Sequence, residues 1–137
     1  TYRSILNNII PHTTGASKSL DILFPKLKNK IIGTSVRIPV SNVSMVDINI
    51  EFKSDINKNE IIEYLKKHSS EIITLNDLRL VSSDFIGTTI PTIIDENSIM
   101  QLTSKKIKFG VWYDNEWSYS SQIIKLMKHI FNNNLRD

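Results

Sequence analysis

The stretch VSMVDINIEF, residues 43–52, constrains the fold more than any other part of the chain. Val46, Ile48, Ile50 and Phe52 alternate with Asp47, Asn49 and Glu51. A period of two puts the apolar set on one face of a strand and the polar set on the other. Such a strand belongs to a sheet with one face turned to a core, so a second layer must cover that face.

The neighbouring segments supply candidates for that layer and for further strands. NKNEIIEYLKK predicts a helix, with Asn57 as N-cap, Glu60 placed for a capping box, and Ile56 and Ile61 placed for a hydrophobic staple. Ile61 and Leu65 mark its apolar stripe. Earlier, TTGASKSLDILFP predicts a short helix capped by Thr14, with Gly15 to Phe24 as its body and Pro25 as its stop. IIGTSVRIPV alternates as a strand, with Thr34, Val36 and Ile38 facing one way and Ser35 and Arg37 the other. LRLVSSDF, TIPTIID and KIKFGVWYD are three more strand candidates. From Glu116 the period turns helical, with Tyr119, Ile123, Met127 and Ile130 in step. Helices separated by runs of strands, without strict strand–helix alternation, predict an α+β fold: a mainly antiparallel or mixed sheet with helices packed on one face.

Composition excludes several function classes. A chain of 137 residues, 40% apolar and 23% charged, can build one ordinary core. With no cysteine it has no disulfide, no thiolate metal site and no cysteine nucleophile of its own. A reducing compartment is therefore permitted. No run approaches the roughly 18 to 20 apolar residues of a membrane span, and TYRSILNN does not read as a signal peptide. The net charge of +3 is spread over short runs such as KLKNK and SKKIK that carry no interleaved aromatics, so a nucleic-acid partner is not expected. His12, His68 and His129 are too scattered in sequence to suggest a metal site, and without a secretory signal the NVS sequon at Asn42 carries no weight.

Three places could carry chemistry. In TTGASK, the first N–H groups of a helix lack partners and attract anions; Thr14 adds a hydroxyl and Gly15 lets an anion come close. The plain alternative is an ordinary N-cap. Arg37 interrupts a neutral strand, either as a solvated side chain or as a two-point clamp on phosphate or carboxylate. In VWYDNEWSYS, residues 111–120, Asp114 or Asn115 could cap the last helix, or Asn115 could offer its amide to a flat ligand held among the rings.

NIIPHTTGASK, VRIPVSNVSMVDINIEF, LVSSDF and VWYDNEWSYS together resemble the glyceraldehyde-3-phosphate dehydrogenase family, in its order and spacing and over essentially the whole chain. The resemblance implies an oxidoreductase that converts glyceraldehyde 3-phosphate to 1,3-bisphosphoglycerate with NAD and inorganic phosphate, as a cytoplasmic homotetramer of glycolysis. It implies that Thr14 and Gly15 bind phosphate, as does Arg37. It also implies that Asn115 holds the nicotinamide carboxamide and that Tyr119 lies beside that ring. On this basis residues 1–115 belong to the catalytic domain. Residues 116–137 form the helix that packs on a nucleotide-binding domain, which is not found in this chain.

Departures qualify the resemblance. The family's catalytic cysteine, in a Ser-Cys-Thr-Thr-Asn motif, and the later histidine base have no counterpart here. A chain without them cannot make the covalent thiohemiacetal on which that chemistry depends, and is expected to be inactive alone. Thr1 sits near the place of a family arginine, and the resemblance leaves open whether Arg3 takes that place or matches a neighbouring family arginine. Two alternatives remain: a piece of erythrose-4-phosphate dehydrogenase, and a non-catalytic remnant that binds phosphate or associates with intact subunits. The Thr-Gly-Ala start of the phosphate-site helix favours the glyceraldehyde-3-phosphate enzyme over the former.

Overall fold

The computed structural model describes residues 3–134. Thr1 lies outside them; Arg3 is exposed. The chain divides into two compact units, Thr1–Ser41 and Asn42–Asp137.

The first unit is an antiparallel ribbon of β1 (Ile10–Thr13) and β2 (Thr34–Arg37), joined through helix α1 (Ala16–Leu23) and a 3₁₀ turn at Pro25–Leu27. The expected helix is therefore shorter at both ends. Its N-cap position is held by Gly15, not Thr14. Residues Ile10–Thr13 are already committed to the ribbon, where Ser35 Oγ donates to the carbonyls of His12 and Thr13. Thr14 still contributes one capping bond, accepting the N–H of Ala16 at 3.2 Å. None of the described residues 3–41 is fully buried, and Ile22, Leu23 and Phe24 stand exposed.

The second unit is the α+β layer. Its five-stranded sheet holds β3 (Ser44–Glu51), β7 (Lys106–Tyr113), β5 (Thr92–Asp95) and β4 (Ile73–Asn76) in that order, with β6 (Met100–Thr103) also paired to β7. All pairings are antiparallel except β4 with β5, so the sheet is mixed. β3 and β7 pair along their full lengths, from Ser44↔Tyr113 to Glu51↔Lys106. β5 and β6 share the other edge of β7, separated by a 3₁₀ turn at Glu96–Ser98. Ser98 Oγ bridges the gap by accepting the N–H of Gly110 at 2.7 Å.

The alternation read in β3 holds from Ile48 onward, whereas Val46, expected on the same face, is 42% exposed. Ile48, Ile50 and Phe52 pack toward the core of Ile62, Ile94, Ile99, Ile107 and Val111. On the opposite face Lys108 pairs with Asp47 at 2.8 Å and Lys106 with Glu51 at 3.4 Å; exposed pairs of this kind contribute about 0–1 kcal/mol each. Helix α2 (Lys58–Lys67) covers the core face, and its fully buried residue is Ile62, between the expected Ile61 and Leu65, which are half-buried. Asn57 caps it by accepting the N–H of Asn59 at 2.8 Å. Ile93, one residue before Ile94, faces the other way and joins Val43 and Phe85 in a second, smaller cluster.

LRLVSSDF is not a strand. Ser82–Phe85 form a 3₁₀ turn in which Asp84 Oδ2 accepts the N–H of Val81 at 2.8 Å, a local bond that competes with any ladder. The strands β4 and β6 take up sequence in which alternation gave no signal.

Helix α3 (Trp117–Asn134) begins where the period changes. Trp117, Ile124, Leu126, Met127 and Phe131 are each more than half exposed. No helix among the described residues is long and apolar enough to cross a membrane. Apolar exposure of this kind promotes association. We therefore expect the purified chain to self-associate in light scattering, with mass rising with concentration; a concentration-independent monomer contradicts this.

Candidate functional site

The expected site residues fall in the two units, and each group has its own geometry. In the first unit, Thr14 and Gly15 sit at the end of the ribbon where Thr13 pairs with Thr34, and Arg37 is level with Ile10 at the other end. Three strand steps separate those levels, or about 10 Å along the ribbon. Thr14 and Gly15 are thus adjacent, whereas Arg37 can meet an anion held there only through the reach of its exposed side chain. Gly15 has ordinary helical dihedrals, and an added Cβ would meet nothing within 4 Å. Its value is therefore open space at the helix start, not a conformation other residues cannot adopt.

In the second unit, the Asp-Asn step after β7 resolves into two different roles. Asp114 is completely buried. Its Oδ1 accepts the N–H groups of Glu116 at 2.8 Å and Trp117 at 2.7 Å, capping the start of α3. Its Oδ2 accepts the N–H of Gly87 at 2.8 Å, and the Asn42 side-chain amide faces the carboxylate closely enough to favour its charged form. Burial pushes this carboxyl up, but the amides of Gly87, Trp117, Glu116 and Asn42 outweigh burial and hold it at about 2. The backbone carbonyl of Asp114 is itself bonded, by the buried Ser118 hydroxyl.

Two segments that meet Asp114 have left-handed backbone. Gly87 has φ +83°, where a side chain would be strained. Val43, between Asn42 and Ser44, has φ 70° and is only 4% exposed. For a β-branched residue this region costs about 1–3 kcal/mol and persists only where the surroundings enforce it. Here Val43 is packed with Phe85 and Ile93, while the Asn42 amide faces Asp114.

Because Asp114 takes the capping bonds, Asn115 does not. Its side chain is exposed, and its Oδ1 accepts the Ser44 hydroxyl at 3.3 Å. Tyr119, four residues on, is 65% exposed. The rings do not enclose Asn115. Trp112 instead stacks on Phe85, with centroids 5.4 Å apart, and Trp117 points largely to solvent. Sequence reasoning placed Asp114 among possible caps but missed Asn42, Val43, Ser44 and Gly87. Nothing in residue type alone marks a valine for positive φ.

Comparison with known proteins agrees with these motifs. The family model described as glyceraldehyde 3-phosphate dehydrogenase, C-terminal domain, matches residues 1–115. Glyceraldehyde-3-phosphate dehydrogenase 2 of Bacillus subtilis is 36% identical over 132 residues, covering 93% of this chain and 39% of that protein. Glyceraldehyde-3-phosphate dehydrogenase 1 of Kluyveromyces lactis is 36% identical, covering 93% and 40%. The chloroplastic glyceraldehyde-3-phosphate dehydrogenase GAPCP1 of Arabidopsis thaliana is 35% identical, covering 93% and 31%. The chain thus spans two fifths or less of the length of these relatives. With its motifs in order and the C-terminal-domain model matched over 1–115, the chain belongs to the glyceraldehyde-3-phosphate dehydrogenase family.

Proposed function

We propose that the chain supplies the phosphate-binding and nicotinamide-facing part of a phosphorylating glyceraldehyde-3-phosphate dehydrogenase that uses NAD and inorganic phosphate. Residues 1–115 are then part of its substrate domain, and 116–137 are the helix that packs on a nucleotide-binding domain. The assembled enzyme is a cytoplasmic homotetramer. The observation that carries the reading is the division of labour at Asp114 and Asn115. The buried carboxylate caps α3, and the next residue is left with an exposed amide.

In this reading Thr14 and the open backbone at Gly15 hold one face of a phosphate, and Arg37 adds a charge-assisted contact. Asn115 pairs with the carboxamide of the cofactor, while Tyr119 flanks the ring. These residues fit the carboxamide end of NAD: an exposed amide carries both a donor and an acceptor, and the Ser44 hydroxyl steadies its oxygen. NAD supplies the hydride acceptor when bound. The absence of cysteine favours a second reading for the chain by itself, a non-catalytic partner of intact subunits. Erythrose-4-phosphate dehydrogenase is the alternative within enzymes.

The test is steady-state kinetics on an enzyme made by joining the chain to the amino-terminal part of the Bacillus subtilis relative. Aldehyde, phosphate and NAD are varied separately. Losing hydrogen bonds to a charged group costs about 1.5–3 kcal/mol. Arg37→Ala should therefore lower kcat/KM for aldehyde or phosphate roughly tenfold to a hundredfold. Arg37→Lys should recover only part, because an ammonium cannot make a planar two-point contact. Thr14→Ala should do less, since the helix N–H groups remain. Asn115→Ala should raise KM for NAD and spare the phosphate dependence. Unchanged dependence on both aldehyde and phosphate in Arg37→Ala returns that residue to a solvated strand position.

A further inference from the structure

We infer that Asp114 is a positioning residue for Asn115, fixing the direction in which the exposed amide is presented. The inference rests on the reading of Asn115 as a ligand contact and names the part that makes the contact specific.

Three segments distant in sequence meet at one buried carboxylate: the turn at Asn42–Ser44, the left-handed Gly87, and the start of α3 at Glu116–Trp117. Asn115 lies between the carboxylate and the N–H groups of residues 116 and 117 that it accepts. Its backbone is therefore clamped from both sides. The Asn42 amide faces the same carboxylate, and two residues later Ser44 donates to Asn115 Oδ1 at 3.3 Å. Asp114 thus governs Asn115 twice, through the chain on its own side and through the turn opposite. Val43 fits this role. Its left-handed backbone sends Asn42 to the carboxylate while Ser44 reaches Asn115. A carboxylate needed only to cap a helix would be served by the two bonds to Glu116 and Trp117. The bond from Gly87 is extra to capping, and the Asn42 amide beside the carboxylate belongs to the turn whose Ser44 meets Asn115.

The experiment is NMR on the isotope-labelled 137-residue chain, reading the χ1 rotamer of Asn115 from three-bond couplings and the shifts of its side-chain amide. The parent should show one dominant rotamer. Asp114→Asn keeps the shape but replaces an acceptor with a donor, and should give averaged couplings at Asn115 while signals of β3 and β7 persist. Asn42→Ala removes the amide that faces the carboxylate, with less risk to folding, and should give partial averaging; it decides the matter if Asp114→Asn does not fold. A single unchanged Asn115 rotamer in folded Asp114→Asn, or in Asn42→Ala where that variant must decide, overturns the inference and leaves Asp114 a structural cap.

The functional arm uses the joined enzyme. Asn42→Ala should raise KM for NAD, with misplacement costing up to about a hundredfold, and leave KM for aldehyde in place. If instead Asn115→Ala leaves KM for NAD unchanged, the nicotinamide reading fails, while the rotamer result still stands or falls by itself.

Discussion

The 137-residue chain assayed alone is expected to show no NAD-dependent oxidation of glyceraldehyde 3-phosphate. The family's chemistry requires a thiolate that attacks the aldehyde carbon and a base that accepts its proton. The chain contains no cysteine, and its three histidines, His12, His68 and His129, are all exposed and far apart in sequence. His68 stacks on Tyr64, and His129 bonds to Asn133 within α3. Hydroxyls of serine and threonine are far weaker nucleophiles than a thiolate at neutral pH without an activating base beside them. The phosphate binding proposed for Thr14, Gly15 and Arg37 would position a substrate but would not form that bond. Turnover by the purified chain, persisting through repurification and unaffected by thiol-blocking reagents, would contradict this expectation and point to a different chemistry.

Asp114→Ala is expected to lower the stability of the second unit by about 3–5 kcal/mol, measured by urea unfolding. The substitution leaves the N–H groups of Gly87, Glu116 and Trp117 without their acceptor, at a site with no exposure to solvent. The total is less than three separate bonds to a charged group would suggest, because the start of α3 can open and admit water. Acid should produce a related loss in the parent. The folded carboxyl is depressed from 3.8 to about 2, so the unfolded chain takes up the proton first as pH falls. The stabilisation from Asp114 is fully present above about pH 5 and is lost as pH drops through 3.8 towards 2. In Asp114→Asn the parent's fall in stability over that window should be shallower. An identical acid dependence in parent and Asp114→Asn would show that other carboxyls carry it. The Glu71 carboxyl is also lowered, by its hydrogen bond to Lys125, but it is exposed.

The elements that sequence revealed are those whose pattern is local. β3 shows strict alternation because one face meets a core and the other meets water. α2 shows its cap because Asn57 bonds to a residue two positions away. The start of α3 is visible as a change of period. β4 is invisible in this way: four residues, Ile73–Asn76, all half-buried, owe their conformation to a parallel neighbour at Thr92–Asp95. β6 exists because Ser98 ends one pairing on β7 and lets another begin. Among the proposed site residues, Thr14, Arg37 and Asn115 were legible as residue types suited to anions and amides, whereas Tyr119 entered only through the family resemblance. The distance between Thr14 and Arg37 along the ribbon was not, since it depends on the register Ile10↔Arg37. The hub at Asp114 was hidden for the same reason: its partners lie up to 72 positions away, at Asn42.

The most direct measurement of the central claim compares the chain alone with the chain joined to the amino-terminal part of the Bacillus subtilis relative. NAD reduction is followed with glyceraldehyde 3-phosphate and with erythrose 4-phosphate, with and without inorganic phosphate. The account predicts no activity for the chain alone. The joined enzyme should give phosphate-dependent NAD reduction, with kcat/KM higher for glyceraldehyde 3-phosphate. A joined enzyme that folds, binds NAD and oxidises neither aldehyde, or that prefers erythrose 4-phosphate, contradicts it.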